Sequence, residues 1–149
     1  MKKKLHLEVI TQEGAVFKGE VDLLMAPGHQ GQIGILPGHI QLLTKLQPGE
    51  LFILTGPSIS ILAVSGGLLD VHDNQVTVMA DSAIRADEIN IAKVEQAKKR
   101  AENTLKEKLS QKEFTVASSD LRRAVLELKV AQKRKYRYKG GETVLPTNK

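Results

Sequence analysis

Residues 28–39 read GHQGQIGILPGH, the most informative segment of this chain. It contains four glycines, one proline and two histidines, with three aliphatic residues, Ile33, Ile35 and Leu36, between them. Glycine adopts positive φ at little cost and proline lacks a backbone donor, so the segment predicts shaped turns rather than a regular ladder. Isoleucines among glycines indicate either two short strands with a tight turn or a contact surface for another protein. Both alternatives are typical of a docking module, and neither requires catalysis.

The composition excludes several classes of protein. A length of 149 residues suits one medium domain, or a small domain with an appendage. Hydrophobic residues make up 41% but aromatic residues only 3%, so we expect an aliphatic core and no stacking platform for bases. Cysteine is absent, which excludes disulfides, thiolate zinc sites and thiol nucleophiles. No run approaches the roughly 18 consecutive apolar residues of a membrane span, so we expect any membrane association to come through a partner.

The first part of the chain, residues 1–84, has the pattern of short strands. Apolar residues alternate from Leu5 to Val9, and turn signals recur about every 8–12 residues, as in antiparallel sandwiches and barrels. Asp73-Asn74 separates two alternating segments and predicts a tight hairpin. The sequence therefore predicts an all-β sandwich or barrel of antiparallel strands, which we take as the first domain.

The period of the apolar residues changes near Asp87. Residues 85–139 predict an α-helical hairpin, giving an α+β chain overall: a first helix from Asp87, a reversal over Ser110–Ala117, and a second helix capped near Ser118-Ser119-Asp120. Alanines dominate the facing stripes and bury little area, so we expect two helices that separate readily. Residues 140–149 are predicted to be a flexible tail.

Positive charge is concentrated at the end of the chain. Residues 1–84 carry five Lys/Arg and eight Asp/Glu, a net charge of −3. Residues 85–119 carry a net charge of +2, and residues 120–149 carry +6. A concentrated basic helix indicates an acidic partner surface or a polyanion as its target.

Several motifs, in the same order, resemble the epsilon subunit of the bacterial rotary F-type ATP synthase, over about residues 5–138. They are Gly31–His39, Leu42-Leu43, Pro48-Gly49, Ser65–Val71, Val76–Asp81 and Arg122-Arg123-Ala124 with Leu126 and Leu128. The resemblance implies a non-catalytic central-stalk subunit whose sandwich seats on the gamma subunit beside the c-subunit ring. It also implies a peripheral position on the cytoplasmic face of the cell membrane, reached only through the complex.

The resemblance implies that the glycine-rich segment docks on the rotor. The candidate docking residues are Gln30, Gln32, Ile33, Ile35, Leu36 and His39. Glutamines stand here where the family often has acidic residues. We therefore expect hydrogen bonds and burial of isoleucine, rather than ion pairs, at the ring.

The helical hairpin is implied to be a brake on ATP hydrolysis. In the family it either folds on the sandwich or extends along the stalk into the alpha and beta catalytic subunits, where it meets an acidic helix-turn-helix. The candidate inhibitory residues are Arg122, Arg123, Lys133 and Arg134.

Regulatory ATP is the one cofactor that the resemblance suggests. Many bacterial members carry Ile-Asp-x-x-Arg-Ala at the start of the first helix, where this chain has Ile89-Asn90-Ile91-Ala92-Lys93-Val94. Lysine does not reproduce the planar fork of arginine. The candidate contacts that remain are Asn90, Lys93, Arg100 and Arg123, and we expect nucleotide binding to be weak or absent.

Other functions are less well supported by the residues. The glycine-rich segment lacks the Gly-Lys-Ser/Thr of a phosphate loop, Ser65 lacks a Gly-x-Ser-x-Gly frame, and the histidines lack metal-ligand spacing. We therefore assign no catalytic residue and no metal. The alternative is a β-module with a basic helical tail that binds nucleic acid; the acidic first domain and scarce aromatics argue against it. The sequence leaves open whether the complex is driven by protons or by sodium ions.

Overall fold

The computed structural model describes residues 3–133, which form eight β-strands followed by two α-helices. The strands are β1 Leu5–Thr11, β2 Gly14–Val21, β3 Leu23–Gly28, β4 Gly31–Ile35, β5 Leu42–Thr55, β6 Ser58–His72, β7 Gln75–Ala80 and β8 Ala83–Arg85. A 3₁₀ turn, Ala86–Glu88, leads to α1 Ile91–Leu105 and α2 Gln111–Gln132.

The strands form one hydrogen-bonded sheet in the order β2-β1-β7-β6-β5-β3-β4, with β8 paired to β6. The predicted sandwich followed by a helical pair is confirmed. Not every pairing is antiparallel, however, because β1 runs parallel to β7 with Leu7 opposite Val76. The chain therefore closes the domain by bringing its last long strand back beside its first.

The core of the sandwich is aliphatic, as the composition predicted. Its largest fully buried side chains are all leucine, isoleucine or valine: Leu5, Leu7, Leu24, Ile35, Leu51, Ile53, Leu62, Leu69, Val9, Val21, Val64 and Val71. Each such side chain contributes roughly 1.5–3 kcal/mol of transfer free energy when it leaves water. This interior holds the surface loops in place.

The predicted hairpin at Asp73-Asn74 is confirmed. The two residues join β6 to β7 with φ of 48° and 60°, the left-handed pair that a two-residue turn between twisted strands requires. A second pair, Gly66-Gly67, has the composition of a turn but lies inside β6, which runs through it. A Cβ at Gly67 would collide with the backbone carbonyl of Met79, so the glycine permits close approach of β7.

Both helices begin at different residues from those predicted. Asp87 and Glu88 belong to the 3₁₀ turn, and α1 starts after Asn90, whose side chain accepts a hydrogen bond from the Lys93 amide at 3.2 Å. For α2, the N-cap is Ser110, which forms a capping box with Glu113.

The predicted reversal over Ser110–Ala117 is therefore wrong, because this segment is the N-cap and first two turns of α2. The chain reverses over residues 106–110 instead, and Ser118-Ser119-Asp120 lie inside the helix. Those residues favour N-caps only when no earlier cap has started the helix.

The helical pair rests on the sandwich through a cluster of alanines and larger aliphatic side chains. The buried members of this contact are Ala63, Ala86, Ile89, Val94, Ala124, Val130 and Ala131. Ala63 projects from the outer face of β6 and is buried because α2 covers it. Within residues 3–133, neither helix is long and apolar enough to cross a membrane. The boundary at residue 84 stays a prediction, and the tail of residues 140–149 lies outside the described part.

Candidate functional site

The glycine-rich segment forms two short strands with a tight turn. Strands β3 and β4 pair from Leu24 opposite Ile35 to Gly28 opposite Gly31, which leaves His29 and Gln30 at the tip. Gly31 has φ of 128°, and the Gly28 Cα faces the Ile33 side chain too closely to carry a Cβ. The tip is thus a sharp, exposed hairpin end.

The candidate docking residues of this segment do not all reach the surface. Gln30 and Gln32 are exposed, and Ile33 is half-buried against the core. Ile35 is fully buried inside the sandwich, so its assignment as a docking contact is corrected: its side chain holds β4 from within and presents nothing to a partner. Strand alternation places successive side chains on opposite faces, which leaves Leu36 57% exposed.

The loop after β4 is held in shape by polar contacts. The Gly38 amide donates to the side-chain oxygen of Asn74 at 2.6 Å, and the His39 amide donates to the Leu36 carbonyl at 3.0 Å. The His39 ring Nδ1 lies 2.7 Å from the Ile40 carbonyl oxygen, so its hydrogen bond is local. A pinned loop presents its apolar residues in one arrangement, which lowers the entropic cost of binding.

Five exposed apolar side chains lie on this loop and on the strands beside it. We call Leu36, Ile40, Leu43, Leu68 and Met79 the apolar patch; Ile40 is 79% exposed and Leu43 is 69% exposed. Leu68 on β6 lies directly opposite Met79 on β7, and Leu43 on β5 is diagonal to Leu68. The patch therefore continues from the loop across three neighbouring strands.

Four of these five residues were not predicted as contacts from the sequence, although a signal was present. Leu42-Leu43, Leu68-Leu69 and Val78-Met79 are apolar doublets within strands. Successive strand residues face opposite sides, so one member of each doublet has to point outward. The structure confirms this at Leu69 and Val78, which are fully buried beside their exposed neighbours.

A groove of about 770 Å³ runs between α1 and α2 and holds three of the four candidate nucleotide contacts. Lys93, Arg100 and Arg123 all line it, whereas Asn90 uses its side-chain oxygen as the N-cap of α1. The structure therefore brings three of the four predicted nucleotide contacts together in one groove.

Carboxylates offset the positive charge of this groove. Its lining includes Glu113, Asp120 and Glu127 as well as the cations, and Arg123 Nε lies 3.1 Å from Glu127 Oε1. A phosphate entering the groove meets these negative charges along with the positive ones. This arrangement weakens anion binding.

The candidate inhibitory residues occupy different environments. Arg122 is exposed, Arg123 pairs with Glu127 on its own helix, and Lys133 pairs with Glu50 of the sandwich at 2.8 Å. Arg134 lies outside the described residues. Only one of the three described cations, Arg122, thus shows no ion pair within residues 3–133.

Metal-ligand geometry is not found in the described part of the chain: no three histidine, aspartate or glutamate side chains there come together as ligands. The remaining features are contact surfaces and an interhelical groove.

Residues 4–86 match the family model described as ATP synthase, Delta/Epsilon chain, beta-sandwich domain, and residues 87–132 match ATP synthase, Delta/Epsilon chain, long alpha-helix domain. The chain belongs to the ATP synthase delta/epsilon family. This membership confirms the resemblance to the epsilon subunit. It also makes the chain a non-catalytic subunit of ATP synthase rather than an enzyme by itself.

Curated relatives resemble the chain over almost their whole length. The ATP synthase epsilon chain of Dehalococcoides mccartyi is 47% identical over 133 residues, which span 89% of this chain and 95% of that one. The epsilon chain of Syntrophobacter fumaroxidans is 42% identical over 133 residues, 89% of this chain and 99% of its own. The epsilon chain of Herpetosiphon aurantiacus is 44% identical over 134 residues, which span 89% of this chain and 98% of that one.

Solved structures share the fold at lower identity. A chain in the Euglena gracilis mitochondrial ATP synthase superposes with a TM-score of 0.72 and 21% identity, covering 87% of this chain and 81% of that one. A chain in the central stalk and c-ring of the Tetrahymena thermophila mitochondrial ATP synthase superposes with a TM-score of 0.62 and 18% identity. The match covers 87% of this chain and 98% of that one. At these identities the likeness establishes the fold.

Proposed function

We propose that this chain is a central-stalk subunit whose sandwich joins the gamma subunit to the c-subunit ring and whose helical pair restrains ATP hydrolysis. It acts at the cytoplasmic face of a bacterial cell membrane, which it reaches through the complex alone. Ion flow through the ring, of protons or sodium ions, turns the stalk. The sandwich helps to carry that torque to the alpha and beta subunits.

The apolar patch carries this proposal. A side chain such as Ile40 or Leu43 gains nothing from exposure in a free protein, but it contributes roughly 1.5–3 kcal/mol when a partner covers it. The patch also adjoins the loop pinned by Asn74, so its shape is set before binding. The relatives are ATP synthase epsilon chains, and a subunit that transmits torque in a stalk needs a fixed contact of this kind.

A binding experiment with purified gamma subunit tests the docking role. Leu43→Asp and Ile40→Asp each place a charge in the contact, and we expect each to weaken gamma binding at least about 100-fold, because an ionised carboxylate is costly to bury. Ile91→Asp is the matched control: Ile91 is exposed at the start of α1, remote in sequence from the patch, where a negative charge suits the helix dipole. Undiminished gamma binding by both patch variants would refute a contact between the apolar patch and the gamma subunit.

The restraint of hydrolysis follows from how the helical pair is attached. Four of the seven buried residues in its apolar contact with the sandwich are alanines, which bury little area, and the leucines and isoleucines around them are only partly buried. A compact form and an extended form that differ by only a few kcal/mol are enough for partners to shift the population. An extended α2 would bring Arg122 and its neighbouring cations to an acidic surface of the catalytic subunits.

Regulation by bound ATP is a weaker part of the proposal. Lys93, Arg100 and Arg123 line the interhelical groove, but carboxylates share it. We therefore propose that MgATP binds weakly at most, and that no cofactor is required for the mechanical role.

A further inference from the structure

The end of α2 is fastened to the sandwich by an ion pair. Lys133 Nζ lies 2.8 Å and 3.2 Å from the two carboxylate oxygens of Glu50 on β5. The two side chains are only 27% and 21% exposed, so solvent and salt screen the pair less than a fully exposed one. Among residues 3–133, this is the one ion pair that joins a helix to the sandwich.

Glu50 stands on the surface that α2 covers. It is the direct cross-strand partner of Ala63, so the two side chains share one face of β5 and β6. Ala63 is 4% exposed and packs in the cluster with Val130 and Ala131. The carboxylate therefore lies at the edge of an apolar contact between α2 and the sandwich. The ion pair adds to this apolar contact, so its loss should shift the balance between the compact and the extended form.

A second cation lies near the same carboxylate. A cleft of about 390 Å³ between α2 and the β3–β4 hairpin is lined by Glu50, Lys129, Leu126 and Gln32. Lys129 and Lys133 are four residues apart and so occupy neighbouring positions on one side of α2. Glu50 thus lies opposite a small cationic face of the helix.

We infer that the Lys133–Glu50 ion pair is a latch that sets the population of the compact form. Lys133 cannot hold Glu50 and an acidic partner surface at the same time, so a partner that offers carboxylates competes with Glu50 for the lysine. The latch itself is a property of the free chain. Its consequence for hydrolysis rests on the proposed function.

Thiol labelling of the free chain tests the latch directly. The chain has no cysteine, so Ala63→Cys introduces a single thiol beneath α2. A thiol reagent then reacts at a rate set by how often α2 leaves the sandwich. In this background, Glu50→Gln and Lys133→Gln should each raise the labelling rate about fivefold, as expected for a partly shielded ion pair.

Charge-matched controls separate the latch from general electrostatics. Lys98→Gln removes a lysine from an exposed pair within α1, and Glu20→Gln removes a glutamate from the outer part of the sandwich. Both should leave the labelling rate within about twofold of the parent. Labelling by the controls as fast as by the latch variants would overturn the inference.

A charge exchange keeps the test decisive if the single variants change stability. Glu50→Lys places two cations together and should raise labelling more than Glu50→Gln. Combining Glu50→Lys with Lys133→Glu restores an ion pair of reversed polarity and should return the rate to near the parent. Failure of this rescue, or an unchanged rate in Glu50→Gln, would show that the pair does not hold α2.

The same variants distinguish the latch from the proposed function. In the assembled enzyme, Glu50→Gln frees Lys133 for a partner and should increase inhibition of hydrolysis. Faster labelling in the free chain with unchanged hydrolysis would keep the latch and refute the braking role of the hairpin.

Discussion

The backbone amide of Gly38 donates a 2.6 Å hydrogen bond to the side-chain oxygen of Asn74, 36 residues further along the chain. This bond ties the loop after β4 to the turn between β6 and β7. Gly38 and Asn74 both have positive φ, at 85° and 60°, so each end of the bond depends on an unusual backbone conformation. The loop that carries Leu36 and Ile40 is therefore positioned by a turn that is distant in the sequence.

Substitution of Asn74 should separate the role of the turn from that of the hydrogen bond. Asn74→Gly keeps the positive φ but loses the bond, and we expect the free energy of unfolding to fall by about 1 kcal/mol. Asn74→Ala also strains the turn and should cost roughly 1–2 kcal/mol more. Urea unfolding measures both. Asp73→Gly, at the neighbouring turn residue with φ of 48°, is the control and should not lower stability; equal losses in all three would contradict this reading.

A covalent link across the latch should abolish the brake. With cysteines at positions 50 and 133, whose native side chains touch, a short bis-maleimide joins α2 to the sandwich. We expect the linked subunit to support ATP synthesis but to lose its inhibition of hydrolysis, because the hairpin cannot extend. Each single-cysteine subunit, treated alike, is the control. Stronger inhibition after cross-linking would mean that the compact form is the inhibitory one.

The four candidate inhibitory residues should restrain hydrolysis by contacting the catalytic subunits. Combined substitution of Arg122, Arg123, Lys133 and Arg134 by alanine should relieve inhibition of hydrolysis several-fold in the assembled enzyme, because each exposed pair contributes roughly 0.2–1 kcal/mol. Arg122→Ala is the cleanest single change, since Arg122 is exposed in the compact form. Lys108→Ala, in the loop between the helices, is the charge-matched control. An unchanged hydrolysis rate in the fourfold variant would exclude this contact.

Nucleotide binding should strengthen when the start of α1 is returned to the family pattern. Isothermal titration of the wild-type chain with MgATP should show weak binding or none. Lys93→Arg with Asn90→Asp restores two family residues, and we expect affinity to rise about tenfold because arginine binds phosphate in a bidentate manner. Aspartate at position 90 still caps α1, so the helix is retained. Tight binding by the wild-type chain would show that lysine and asparagine suffice.

The order of elements could be predicted from the sequence because the alternation of apolar residues in the strands and their helical spacing after residue 85 were both strong. Alternation of aliphatic residues in residues 5–9 and the Asp73-Asn74 turn predicted strands that the structure contains. Strand β2 was missed because its apolar residues do not alternate and only Val21, at its end, is fully buried. The start of α2 was missed because Phe114 and Val116 are exposed, so its first turns have no buried stripe. The Ser110-x-x-Glu113 capping box was nonetheless present in the sequence.

The sequence predicted which segment forms the candidate site, but not which of its side chains are exposed. The glycine-rich segment pointed to a docking loop, yet strand alternation buries Ile35 and exposes Leu36. Leu68 and Met79 were invisible as surface residues because their role depends on which strands pair. The partner of Lys133 could not be read at all, since Glu50 is 83 residues away and the docking of α2 brings them together.

The apolar patch also bears on how a cell must make this subunit. A copy without its partner keeps Ile40 and Leu43 in contact with water, and surfaces of this kind adhere to one another and to chaperones and proteases. Surplus chains would then aggregate or be degraded and would not remain available for assembly. We therefore expect production to be matched closely to that of the other rotor subunits, with orphan copies removed quickly.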